Sequence, residues 1–306
     1  PWSFSELSKQ YFAKILKGIA GFYYCIVEEP GEYQGEVFAC KARGIFRNQK
    51  QKPLVGDDVD LEITDPKDRE GSILSIRPRK NALIRPAVAN VDQVVLVLSV
   101  EAPSPALYFL DRYLLGMESQ GLPVAICWNK GDLDWEQARG YGEIYRQAGC
   151  VNVICSAREG TGHKELLALL KGKVTVLAGP SGVGKSSLTN LLIPRAKMET
   201  GEISAKIARG RHTTRHSQLF ALDESSFLMD TPGFTSMETP PMEKEELRFY
   251  FPEFARYEGS CRFPGCVHIH EPGCRVKEAL VEHKIPPSRY DSYQRIYEEL
   301  AEKRRF

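Results

Sequence analysis

The sequence predicts a multidomain chain: an all-β barrel, then a mostly parallel α/β domain, then a small, mainly α-helical module. Three observations predict it. Residues 20–80 alternate short strand-like runs with turn residues and carry no helical pattern between them. Residues 91–230 alternate strand and helix patterns, as a parallel sheet covered on both faces requires. From Thr235 onward the chain becomes polar, aromatic and rich in cysteine and histidine. A chain of 306 residues is long enough for separate cores of this kind. The expected boundaries are 1–80, 81–235 and 236–306.

In the first segment the strand-like runs are 21–27, 35–40 with a continuation at 42–46, 58–63 and 71–76. About five short strands at regular spacing fit an oligonucleotide/oligosaccharide-binding (OB) barrel, with an SH3-like barrel as the alternative. Residues 7–16 read as a short helix or a disordered lead-in, and 77–90 as a linker. The second segment gives strands at 91–100, 123–128, 151–155, 173–178, 218–222 and 227–230. Helices are expected at 106–119, 136–148, 164–170 and from 187 to 192, and a charged helix from about 289 to 304.

Composition narrows the function classes. Lys and Arg number 41 against 40 Asp and Glu, so no strong overall field selects a partner. The charge is nevertheless uneven. Residues 36–56 hold Lys41, Arg43, Arg47, Lys50 and Lys52 against one acid, and residues 195–215 hold six basic residues against Glu199 and Glu202. Such patches suit phosphate backbones and solvated faces equally. The absence of a long apolar run argues against a membrane span, and residues 1–7 lack a basic-then-apolar signal, so a cytoplasmic monomer is expected. Cys25, Cys40, Cys127, Cys150 and Cys155 are scattered singly in apolar segments, as reduced thiols packed as small hydrophobes are.

The chemistry is concentrated in short motifs. Gly179, Pro180, Ser181, Gly182, Val183, Gly184, Lys185 and Ser186 spell the phosphate-binding loop G-x-x-x-x-G-K-[ST], followed by Ser187 in the helix it opens. Its backbone N–H groups can cradle a β-phosphate, Lys185 can reach the β/γ oxygens, and the Ser186 hydroxyl can ligate Mg²⁺. A strand ending in Asp230, followed by Gly233, supplies D-x-x-G: a carboxylate for Mg²⁺ and an N–H for the γ-phosphate. Asn129, Lys130 and Asp132 form N-K-x-D at another strand end. There Asp132 would accept from guanine N1–H and the exocyclic amine, Lys130 would lie along the base, and Asn129 would brace neighbouring loops. Ser156 and Ala157 open the next loop, placed to offer a backbone N–H to guanine O6. GTP is therefore expected over ATP; an ATP-dependent P-loop kinase is the competing reading. The base-reading motifs precede the phosphate and D-x-x-G motifs, which is a circular permutation of the common GTPase order and sends the D-x-x-G loop straight into the C-terminal segment.

Permuted order, the segment 210–215 (Gly-Arg-His-Thr-Thr-Arg), a barrel ahead and a cysteine/histidine cluster behind together resemble the YjeQ/RsgA (YloQ) family over roughly residues 18–300. The resemblance implies a GTPase of small (30S) ribosomal subunit biogenesis, stimulated by the subunit and acting late in its maturation, with ribosomal RNA and GTP/GDP as partners. Thr213 or Thr214 is the expected switch I ligand to Mg²⁺. Phe234 stands where Ras-like enzymes carry a water-orienting Gln, and a phenyl ring cannot hydrogen-bond water. The resemblance assigns that task to His212, with Lys185 as the other catalytic group; a phosphate or RNA contact, or a solvated ring, are the alternatives for His212.

Cys261, Cys266 and Cys274 with one nearby histidine form a closed Cys₃His set, the structural zinc pattern, and a disulfide is the alternative. The family's spacing C-x4-C-x-H-x5-C implies His268 as the fourth ligand, with His270 competing. Other function readings are a permuted GTPase serving a different RNA-protein or membrane partner, and a GTP-gated RNA-binding module with negligible hydrolysis.

Overall fold

The computed structural model describes residues 9–42, 52–83, 87–193, 218–230 and 239–303. The chain divides into two compact units, one of residues 1–93, 167–177 and 188–232, the other of 94–166, 178–187 and 233–306.

In the first unit, β1 (Gln10–Ile19), β2 (Phe22–Val27), β3 (Val37–Ala42), β4 (Asp58–Asp65) and β5 (Glu70–Ile76) form a closed barrel in the order β1-β2-β3-β5-β4. β3 and β5 run parallel, the other pairs antiparallel, and β4 returns to β1. This is an OB-type barrel. Its core is the inward set Ala13, Ile15, Cys25, Val27, Phe38, Cys40, Val59, Leu61 and Ile73, alternate residues of each strand.

Two expectations are corrected. From Gln10 onward the lead-in is neither helical nor disordered but forms β1, the longest barrel strand, while residues 7 and 8 lie outside the described residues. Its alternation is obscured because the register shifts between Ile15 and Lys17, and because outward Lys14 is itself buried, paired with Asp58 and 3.9 Å from Glu28. The five-strand count is met through β1, while residues 43–46 lie outside the described residues. The presumed linker is pinned to the barrel. Arg79 forks onto Asp57, with Nε to Oδ1 at 2.6 Å and Nη2 to Oδ2 at 2.8 Å, and Arg77 Nε donates to Asp60 Oδ1 at 2.9 Å. Beyond a two-residue hairpin of β6 (Ala82–Leu83) and β7 (Val88–Ala89), Asn90 Nδ2 donates to Gly56 O at 3.1 Å. The unit also holds β11 (Val174–Ala178), β12 (Leu219–Ala221) and β13 (Phe227–Asp230), with β13 parallel to β11 and antiparallel to β12.

The second unit is built on β8 (Gln93–Ser99), β9 (Val124–Asn129) and β10 (Val151–Ile154), parallel in the order β10-β9-β8. β8 is buried along its length, as its continuous apolar run predicts. Helices α1 (Leu107–Glu118) and α2 (Trp135–Gln147) follow β8 and β9 in the chain; α3 (His163–Leu170) follows β10, and α4 (Lys185–Leu192) opens directly after the glycine-rich turn. The Asp134 side chain caps α2 by accepting from Gln137 N at 2.9 Å.

The C-terminal segment adds α5 (Arg275–Val281) and α6 (Pro287–Lys303). Phe251, Phe254, Ile285, Tyr293, Ile296 and Leu300 make one core with Leu115 of α1. Among the described residues, no helix is long and apolar enough to cross a membrane.

Candidate functional site

The phosphate-binding turn is shaped by glycine at the points where other chain atoms come closest. Gly184 has φ 94°, and a Cβ there would lie 2.4 Å from Asn129 Nδ2. Gly179 has φ 139°, and its Cβ would meet Val97 O at 2.2 Å. Lys185 is buried, and its ammonium donates to Gly179 O and Pro180 O, both at 2.8 Å. The amine is thus held at the mouth of the turn its own helix begins. Ser181, Gly182, Ser186 and Ser187 are exposed, and Val183 is buried.

Asn129, at the end of β9, is fully buried. Its Nδ2 donates to Val183 O at 2.8 Å, and its Oδ1 accepts from Ala157 N at 3.1 Å. One carboxamide therefore ties the phosphate turn to the loop after β10. Lys130 adopts φ 60°, and its ammonium donates to Ala102 O in the loop after β8. The Gly131 N–H donates to Cys155 O at 2.9 Å. Ser156, buried, gives its hydroxyl to Asp132 Oδ1 at 2.6 Å while accepting from Glu159 N at 3.1 Å. Asp132 is half-buried, and a carboxylate can accept at both of its oxygens. The structure thus links the loops of Asn129, Lys130 and Asp132 and of Ser156 and Ala157 to each other, and through Asn129 to the turn of residues 179–184.

Asp230 ends β13, half-buried. His212, Thr213, Thr214, Gly233 and Phe234 lie outside the described residues.

Cys261, Cys266, His268 and Cys274 form a second constellation, their ligand atoms all within 4.8 Å of one another. Cys261 Sγ lies 3.7 Å from His268 Nδ1 and 4.0 Å from Cys274 Sγ, and His268 Nδ1 lies 3.4 Å from Cys274 Sγ. Tetrahedral Zn–S and Zn–N bonds of about 2.3 and 2.0 Å set S–S edges of about 3.8 Å and S–N edges of about 3.5 Å. The donor set fits a tetrahedral ion of that size, and all its cysteines are free thiols. His270 is exposed and outside the group. His268 Nε2 faces Glu258 Oε2 at 3.3 Å, the carboxylate–imidazole pairing that orients a ligating ring. Burial holds the imidazole below its ordinary value, with Glu258 opposing, and the neutral ring is the form that ligates. Tyr290 OH donates to His268 O at 2.6 Å and Tyr293 OH to Val267 O at 2.5 Å, fixing the loop to α6.

One group escaped the sequence reading altogether. Arg289 of α6, only 3% exposed, donates from Nη1 to Asp111 Oδ1 at 2.5 Å and from Nε to Glu253 Oε1 at 2.7 Å. Tyr145 OH of α2 also donates to Asp111 Oδ1, at 2.9 Å. This buried network joins α1, α2 and α6, and the next residue in the chain, Tyr290, holds the metal loop.

Comparison with known proteins shows the family. A family model described as RsgA GTPase matches residues 76–240, and one described as RsgA N-terminal domain matches 13–73. The chain is similar to the small ribosomal subunit biogenesis GTPase RsgA of Agathobacter rectalis, 49% identical over 299 residues, covering 96% of this chain and 99% of that one. It is 46% identical to the protein of the same name from Alkaliphilus metalliredigens, over 96% of this chain and 99% of that one. Among solved structures it is similar to YjeQ from Thermotoga maritima, with TM-score 0.76, 37% identity and coverage of 96% and 99%. YloQ, described as a circularly permuted GTPase, gives TM-score 0.75 at 34% identity, with 98% of each chain covered.

Proposed function

The chain belongs to the RsgA GTPase family, and we propose that this GTP-hydrolysing ribosome biogenesis factor binds the small (30S) subunit late in its maturation and is stimulated by it. The observation that carries the nucleotide part is the Asn129 carboxamide, hydrogen-bonded to the phosphate turn on one side and to the loop of Ser156 and Ala157 on the other. Loops distant in the chain thereby meet at one place, which supports a shared site for the base and the phosphates of one nucleotide.

Within it, Asp132 reads the guanine N1–H and exocyclic amine, Lys130 flanks the base, and Asn129 holds the loops in register. The backbone of residues 179–187 cradles the phosphates, and Lys185 exchanges its carbonyl partners for the β/γ oxygens, where it stabilises charge on the transferring group. Gly233 offers a backbone N–H to the γ-phosphate. Bound with GTP, Mg²⁺ supplies further positive charge there; Ser186 is its proposed ligand, and Asp230 and Thr213 or Thr214 keep the roles their motifs imply. His212 orients the attacking water in place of the missing Gln. In the proposed mechanism the subunit stimulates turnover by orienting this histidine, because catalysis needs the water-positioning group held in place.

The Cys₃His set holds a structural Zn²⁺ through Cys261, Cys266, His268 and Cys274. With four protein ligands no coordination position is left for water, so the ion's contribution is to the fold. The barrel (1–80) and the C-terminal module (236–306) flank the GTPase domain (81–235) and bind ribosomal RNA, and the protein works as a cytoplasmic monomer.

The test is GTP turnover of the full chain with and without purified small subunits. Stimulation of tenfold or more, about 1.4 kcal/mol of barrier, is expected; turnover indifferent to subunits overturns the proposal.

A further inference from the structure

The turn carrying Lys130 and Asp132 is held by hydrogen bonds at Asn129, Lys130, Gly131 and Asp132, and by one further restraint that is steric. Gly131 is buried, and its φ is not in the left-handed range, so its backbone conformation is open to any residue. A Cβ on Gly131 would nevertheless lie 2.5 Å from Trp135 Cζ3, 2.8 Å from Cε3 and 3.0 Å from Cη2. Carbon atoms in ordinary contact stand about 3.5–4.0 Å apart. Glycine is required at this position by the indole ring, whose benzo edge occupies the space a side chain would take.

The ring is not free to yield without loss. Trp135 is half-buried and is the first residue of α2, whose start is fixed by the Asp134 cap. The opposite side of Gly131 is fixed too, by its N–H bond to Cys155 O. Residue 131 is thus seated between a rigid plate and a strand end, and Asp132 follows it directly.

We infer that Trp135 is a positioning residue for base recognition: its indole, seated on Gly131, sets where the Asp132 carboxylate meets the purine edge. This rests on the reading of Asp132 as the acceptor for guanine. The ligand feature concerned is the purine 2-amino group, which guanine carries and hypoxanthine lacks. A carboxylate displaced by a few tenths of an ångström loses most on the donor pair it was aligned to meet, so the damage falls on GDP more than on IDP.

The experiment measures GDP and IDP affinities of the full chain by displacement of a fluorescent nucleotide, for the parent, Gly131→Ala, Trp135→Ala and the double variant. Each single variant is expected to lower the GDP:IDP preference about three- to tenfold. The double variant should recover part of it relative to Gly131→Ala, because removing the ring makes room for the methyl group. A ring that merely stabilises the fold would lower the melting temperature or the active fraction and leave the ratio untouched. If Gly131→Ala does not fold, Trp135→Ala and Trp135→Phe carry the measurement. A GDP:IDP ratio unchanged in the Trp135 variants overturns the inference while leaving Asp132 its role. A parent chain with no preference between GDP and IDP removes the role of Asp132, and the inference with it.

Discussion

Asn129 Nδ2 donates to the main-chain carbonyl of Val183 at 2.8 Å, across 54 positions of sequence, and this bond fastens the phosphate turn to the base-reading loops. The same carboxamide accepts from Ala157 N. Only a side chain with a donor and an acceptor on one short stem serves both. Asn129→Ala leaves the buried Val183 carbonyl and the half-buried Ala157 N–H without this partner, the buried group costing about 1–3 kcal/mol. GDP affinity should fall about ten- to a hundredfold by fluorescent-nucleotide titration. An unaltered dissociation constant would contradict the bracing role.

Asp132 Oδ1 accepts from the Ser156 hydroxyl, and the carboxylate is the proposed acceptor for the guanine donors. Asp132→Asn replaces an acceptor with a donor, which faces the guanine N1–H and amine with the wrong polarity but suits the carbonyl of xanthine. Loss of GTP binding by about one to two decades, with gain of xanthosine triphosphate binding, is expected from competition titrations. Retained GTP selectivity would point to another base-reading residue.

Removing metal tests the C-terminal module. The loop of Cys261, Cys266 and His268 packs Cys266, Ile269 and the His268 ring into the core and is tied to α6 by two tyrosine bonds, so the ion is expected to add to an order that packing begins. A strong chelator, or Cys274→Ser, should lower the melting temperature and raise amide exchange in residues 239–303. Identical exchange with and without the chelator would rule out a structural ion.

Arg289 neutralises two buried carboxylates, and its loss leaves both without their cation. Arg289→Met should cost about 3–5 kcal/mol, read from denaturant midpoints. The deficit also has a pH signature. Burial raises the Asp111 carboxyl above its ordinary value, with Arg289 foremost among the groups opposing the rise. A carboxyl whose folded value is raised contributes stability below its unfolded value and loses it as pH climbs through the folded one. Without the guanidinium the rise is greater, so the variant's deficit should be smallest in acid and widen toward neutrality. A deficit independent of pH would show that Asp111 does not titrate between the two states.

What the sequence made legible is what is written in consecutive residues. The turn at 179–186 and the base-reading loops have fixed spacings because backbone geometry at a strand end permits few alternatives, and so the permuted α/β domain could be read directly. The metal cluster was equally plain. Groups whose meaning depends on a distant partner stayed hidden. Residues 7–16 read as a short helix or a disordered lead-in because nothing local shows that Lys14 pairs with Asp58, and 77–90 passed for a linker because nothing local shows that Arg79 forks onto a buried Asp57. Gly131 was only the variable position of a motif until the Trp135 ring was seen against it.

The separation of 178 positions between Asp111 and Arg289 also bears on how the molecule is made. Translation delivers the carboxylate long before its cation. Until residue 289 clears the exit tunnel, α1 cannot bury Asp111 without an unbalanced charge, so α1 must wait for α6 before its packing can be completed.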